Sequence, residues 1–121
     1  MMRALSIRQP HAEAILRGVK PIEFRNRVTN IRGRIFIYAA LGRDTAENES
    51  KWMARYAIND CECDNLPRGV LVGTVELHDC TEQVDEFQWH LRNPERAETL
   101  RKPTGHPQPS WFFPFGREKI D

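Results

Sequence analysis

The first forty residues change hydrophobic period repeatedly, and this restricts the fold more than any other feature of the chain. Residues 2–7 alternate in character and read as a strand. Gln9 and Pro10 break it, and Pro10 suits the first turn of a helix. Residues 11–17 place Ala12, Ala14, Ile15 and Leu16 on one helical face, and Gly18 reads as the residue that ends the helix. Residues 21–25 read as a short strand, with Ile22 and Phe24 on one face and Glu23 and Arg25 on the other. Residues 34–40 follow Gly33 as a nearly continuous apolar run, the pattern of a central strand.

The remainder extends this α+β order. Residues 45–58 predict a helix, with Asp44 or Thr45 as N-cap and Glu47 and Glu49 in its first turns. Trp52, Met53 and Tyr56 fall at helical spacing and are expected to face the core. Residues 59–68 read as an acidic, cysteine-containing loop, and residues 69–77 as a second apolar strand. Residues 82–91 are expected to form a short helix or turn. Residues 93–109 hold Pro94, Pro103, Pro107 and Pro109 and read as loop. Residues 111–115 read as a closing edge strand. The whole predicts one α+β domain over residues 1–121, a small curled sheet with two or three short helices.

Composition adds boundary conditions. A chain of 121 residues fits a single domain. No apolar run approaches the roughly 18 residues that span a bilayer, and the N-terminus lacks a signal-peptide pattern. Three cysteines, an odd count, argue against a disulfide framework and for a reducing, cytoplasmic location. The net charge is only +1, yet residues 1–36 carry eight basic and two acidic side chains, a local excess of +6. A basic end on a nearly neutral protein suits a localised anionic partner.

The stretch from Ala4 to Arg25 carries a more specific signal. It reads strand, Gln9-Pro10, short helix, then Gly18, Lys20, Glu23 and Arg25 in the pattern Gly-x-Lys-x-x-Glu-x-Arg. This resembles the signature of ASCH domains, and residues 34–40 and 70–77 resemble the strands that follow in that family. His11 stands where the family commonly has Trp, and the C-terminal half has its own character, with Trp89 and Trp111 in His- and Pro-containing surroundings. The resemblance implies a small PUA-like mixed β-barrel, related to modules that bind RNA or single modified nucleotides. It also implies possible kinship with ribonucleases and with amidohydrolases of acylated cytidine, which use a Lys and a Thr of this motif. Lys20 matches the lysine, while Glu23 occupies the threonine position.

Two functional expectations follow. The first is a binding module for RNA or a modified nucleoside or nucleotide, with a cationic cleft at the barrel mouth. Arg8, Gln9, His11, Lys20, Glu23 and Arg25 are its contact candidates, with Tyr38, Trp89 and Trp111 as stacking surfaces. Lys20 and Arg25 can grip a phosphate while Glu23 accepts from a base. The second is a hydrolase with Lys20 and Glu23, or one of His11, His90 and His106, as catalytic groups. A protein-interaction module with an inert cleft is a blander rival. Cys61-x-Cys63 with His78-x-Cys80 offers zinc-type ligands, but the one-residue gaps are unusual. No metal or cofactor is expected, and no membrane partner.

Overall fold

A computed structural model describes residues 2–116. It begins as the periodicity predicts. β1 (Ala4–Ile7) leads into α1 (His11–Leu16), followed by β2 (Ile22–Arg25) and β3 (Gly33–Ala39). Then come α2 (Ala46–Arg55), a 3₁₀ turn at Cys63–Asn65, β4 (Val70–Gln83), β5 (Glu86–Arg101) and β6 (Trp111–Phe112). The strands form one mixed sheet in the order β2-β5-β4-β3-β1-β6. β1 pairs parallel to β3, and every other pairing is antiparallel.

α1 lies inside the curl of this sheet. Ala12, Ile15 and Leu16 pack with Leu5 and Ile7 of β1, Ile35 and Ile37 of β3, Val72, Val75 and Leu77 of β4, and Trp89 and Leu91 of β5. Gly73 makes the close packing possible: a Cβ there would meet the Glu95 carbonyl oxygen and come within 2.6 Å of Leu16 Cδ2. Glu13 of α1 is buried and secured by Arg17 at 2.7 Å and by both Arg96 nitrogens at 2.9 Å. Burial opposes ionisation of Glu13, but the two guanidiniums outweigh it and hold the carboxyl below its ordinary range.

α2 stands apart from that core. Met53 packs with Ile58 and Leu66 in a separate small cluster. Glu49 anchors the helix, with Arg43 donating to both its oxygens and Arg68 3.7 Å away. Thr45 caps the helix by accepting from the Asn48 amide at 3.1 Å. Thr45→Ala is expected to cost about 1 kcal/mol, measured by urea denaturation.

Four expectations are corrected. Residues 82–91 hold a turn, at Val84 and Asp85, but no helix, and residues 93–101 are strand, not loop. β4 and β5 form one long hairpin, turning at Val84 and Asp85, with Asp85 at φ 66°. Pro94 fits within β5 because Asn93 and Pro94 lie at a register shift, between the pairs Glu76↔Arg92 and Thr74↔Glu95. A bulge is where a strand tolerates proline, since no ladder donor is needed there. The last strand stops at Phe112, not at residue 115. Finally, among the described residues no ladder joins β2 to β6, so the sheet does not close into a hydrogen-bonded barrel. Its edges still approach: Arg25 of β2 donates to the Ser6 carbonyl of β1 at 3.2 Å, and Trp89 stacks on Trp111 at 5.6 Å.

Candidate functional site

The turn after α1 builds the site. Gly18 takes φ +78°, open to glycine at no steric cost, and the amides of Val19 and Lys20 both bond back to the Ala14 carbonyl. That reversal delivers Lys20 to the start of β2. Its Nζ donates to the Ile22 carbonyl at 2.8 Å and sits 3.3 Å from Glu23 Oε1. Strand alternation puts Glu23 and Arg25 on one face, and Arg25 Nε donates to Glu23 Oε2 at 2.8 Å. The Arg25 guanidinium also lies 5.5 Å from the Trp89 ring centroid. Glu23 is therefore a buried carboxylate held between two cations, with Oε1 beside Lys20 and Oε2 beside Arg25.

Two hollows meet at this carboxylate. One, of about 450 Å³, is lined by His11, Lys20, Glu23, Phe24, Trp52 and Tyr56 together with Val19, Pro21 and Ile22, so its walls are largely apolar and partly aromatic. The other, of about 270 Å³, is lined by Ser6, Arg8, His11, Glu23, Arg25 and Pro109 among others, so it is cationic. His11 and Glu23 belong to both. Arg8 is exposed, and its side chain makes no hydrogen bond or ion pair among the described residues.

His11 links the hollow to α2. Its Nδ1 lies 2.7 Å from the Tyr56 hydroxyl, and its ring meets Trp52 edge-on at 4.9 Å. Trp52 and Tyr56 stack at 5.4 Å, with Arg55 over the Trp52 ring at 5.0 Å. Burial and then the Lys20 charge lower the His11 pKa, against weaker opposing pulls from Glu23 and Asp44. Burial, helped by the Glu23 charge, pushes the Tyr56 hydroxyl up to about 12. Both groups are thus neutral at pH 7.

A lowered histidine pKa has a definite sign for stability. On acidification the unfolded chain takes up its proton first, near pH 6.5, so the folded state loses ground as pH falls below that value. Stability is expected to drop between pH 7 and 5.5, with a slope contributed by this group of at most about 1.4 kcal/mol per pH unit. His11→Asn should flatten that part of the profile; an unchanged profile would contradict the assignment.

The structure distributes the other candidates unevenly. Arg8, His11, Lys20, Glu23 and Arg25 come together in the cleft. Gln9 is buried and serves the fold, donating to the Pro67 carbonyl and accepting from the Glu13 amide. Tyr38 lines neither hollow: it is buried with Ala4, Leu71 and Phe112, and burial raises its pKa. Trp89 is fully buried beneath Arg25, and Trp111 packs on it. His90 pairs with Thr81 at 2.7 Å, and His106 lies in a separate hollow. Cys61 and Cys63 follow α2, whereas Cys80 is on β4. Among the described residues no three His, Cys, Asp or Glu side chains are grouped to hold a metal ion. No helix among the described residues is long and apolar enough to cross a membrane.

Trp52, expected in the core, instead lines the cleft with Tyr56 and Phe24. The sequence held one clue. Residues 46–55 are too polar for a core helix, so Trp52 and, four residues on, the C-cap Tyr56 need another surface to cover.

Comparison with known proteins accords with the front motif. The family model described as the ASCH domain matches residues 5–112. The human protein Activating signal cointegrator 1 is 37% identical over 83 residues, which are 65% of this chain and 14% of the human protein. Its mouse counterpart of the same name is 39% identical over 88 residues, 69% of this chain and 15% of the mouse protein. The chain thus corresponds to a small part of these relatives. With a match that runs from β1 to β6, this chain belongs to the ASCH domain family.

Proposed function

We propose that this domain binds one nucleotide of a single-stranded RNA, or a modified nucleotide, in the cleft between α1, β2 and α2. The observation that carries the reading is the junction of the two hollows. An apolar space with aromatic walls at Phe24, Trp52 and Tyr56 suits a base, a cationic space suits its phosphate, and they share His11 and Glu23. In this reading Glu23 Oε1 accepts from the base, while Arg8 and Arg25 hold the phosphate. The curled sheet is taken as a PUA-like barrel closed by side chains, through Arg25 to Ser6 and Trp89 to Trp111, and residues 1–121 as one domain.

Fluorescence anisotropy with a labelled single-stranded RNA tests the proposal. Arg8→Ala is expected to weaken binding and to lower the magnitude of the salt slope by about 0.7, one phosphate contact on a single strand. Trp52→Ala removes a stacking surface and is expected to weaken binding roughly 5- to 150-fold. No binding by the unsubstituted protein at low salt would contradict the reading.

A hydrolase reading rests on one observation, the 3.3 Å approach of Lys20 Nζ to Glu23 Oε1 inside the cleft. Against it, Glu23 Oε2 is already occupied by Arg25 and Lys20 is spent on the Ile22 carbonyl. Turnover of RNA or of an N-acylated nucleoside, lost in Lys20→Ala, would reverse this preference.

A further inference from the structure

The hollows that open on the described surface differ in charge. The one along the β4–β5 bulges is charge-balanced, with Glu95 and Glu98 against Arg96 and Arg101, and Arg96 is already bonded to Glu13. The one beside α2 carries Glu49, Glu62 and Asp64 with no cation in its lining, and is poorly suited to an anionic chain. The hollow between the start of β1 and the C-terminal segment is different. It measures about 490 Å³ and is lined by Arg3, His106, Gln108, Trp111 and Phe113 among others, with no carboxylate among the described residues.

This hollow adjoins the cleft. Pro109 lines the cationic hollow, while Gln108 and Trp111 line the C-terminal one, so residues 108–111 form a ridge between them. The ridge is pinned to β1, since the Ser6 amide donates to the Ser110 carbonyl at 3.0 Å. A single indole also links the two sides. Trp89 has Arg25 of the cationic hollow 5.5 Å from its centroid, and it stacks on Trp111 of the C-terminal hollow at 5.6 Å. The Arg3 side chain makes no hydrogen bond or ion pair among the described residues, and its guanidinium lies 5.2 Å from the Phe113 ring centroid. Arg3 and Arg8 stand at opposite ends of β1, with Cα atoms about 16 Å apart in an extended chain, and each lines a different hollow.

We propose that the ligand is an oligonucleotide strand and not a lone nucleotide, and that the neighbouring nucleotide occupies the hollow of Arg3, His106, Gln108 and Trp111. This rests on the nucleotide reading of the cleft. The strand's backbone passes the ridge at Pro109. Arg3 meets the next phosphate, and the exposed edges of His106 and Gln108 meet the next base. A groove that pairs cations with aromatic and amide surfaces is a general means of holding single strands without a fixed sequence.

The test compares nucleoside 5′-monophosphates with single-stranded RNA oligomers of two to four residues, by calorimetry on the full chain. Affinity is expected to rise at least tenfold from mononucleotide to tetranucleotide. Arg3→Ala with His106→Ala should lower tetranucleotide affinity at least fivefold and leave mononucleotide affinity within twofold. Arg3→Lys should restore part of the loss, and an unchanged thermal midpoint confirms that the variant folds. Equal affinity for mononucleotide and tetranucleotide, or a double substitution that weakens neither or both alike, would overturn the proposal and leave the single-nucleotide reading standing. Binding of neither probe would overturn both.

Discussion

Trp89→Ala is expected to destabilise the protein by about 3–5 kcal/mol, a large share of the roughly 5–15 kcal/mol that stabilises a typical domain. Trp89 is fully buried and is the largest side chain in that state. It packs in the cluster that joins α1 to the sheet, and its indole nitrogen donates to the Arg27 carbonyl at 3.0 Å. It also holds the edges of the sheet together, between Arg25 and Trp111. The urea midpoint should fall well below that of the parent protein. Trp89→Phe keeps a ring but strands the Arg27 carbonyl, so a smaller loss of about 1–3 kcal/mol is expected. A midpoint unmoved in Trp89→Ala would contradict the view that this indole closes the curled sheet.

The second large effect concerns ligand binding. Lys20→Ala combined with Arg25→Ala is expected to weaken RNA binding by roughly two orders of magnitude, in line with the 2–5 kcal/mol lost when a buried, hydrogen-bonded charge is truncated. Both cations face the cleft, and together they hold Glu23, the carboxylate common to its two halves. Their loss also strands that buried carboxylate, so the melting temperature should fall as well. Arg8→Ala separates the two effects, because Arg8 is exposed and its side chain makes no hydrogen bond or ion pair among the described residues. It should reduce binding with the melting temperature unchanged. Affinity for RNA and for nucleosides that survives the double substitution would contradict the assigned cleft.

The front of the fold was legible because its local signals agree with its tertiary structure. Pro10 and Gly18 bracket α1, and the alternation at residues 22–25 places Glu23 and Arg25 on one face, where their side chains bond. The apolar runs of β3 and β4 declared themselves in the same way. The long β4–β5 hairpin did not. Residues 78–83 of β4 and 92–101 of β5 are mostly exposed, so no two-residue alternation survives there, and Pro94 reads as a breaker until the bulge accommodates it. The cationic half of the candidate site was readable from residues 8–25, a contiguous segment. Its aromatic half was not, since Trp52 and Tyr56 reach the cleft only through the docking of α2 on His11, a contact distant in sequence. Tyr38 and Gln9 illustrate the reverse error. Chemistry suited to a base edge or a stacking surface is used here inside the fold.

The most direct test of the cleft is an NMR titration of the ¹⁵N-labelled chain with a short single-stranded RNA, following the three tryptophan indole signals and the backbone amides. The account predicts that the Trp52 indole and the amides of His11, Lys20 and Glu23 shift most, together and with one dissociation constant. Shifts confined to the hollow of Glu95, Arg96, Glu98 and Arg101, or no shifts at saturating RNA, would contradict it.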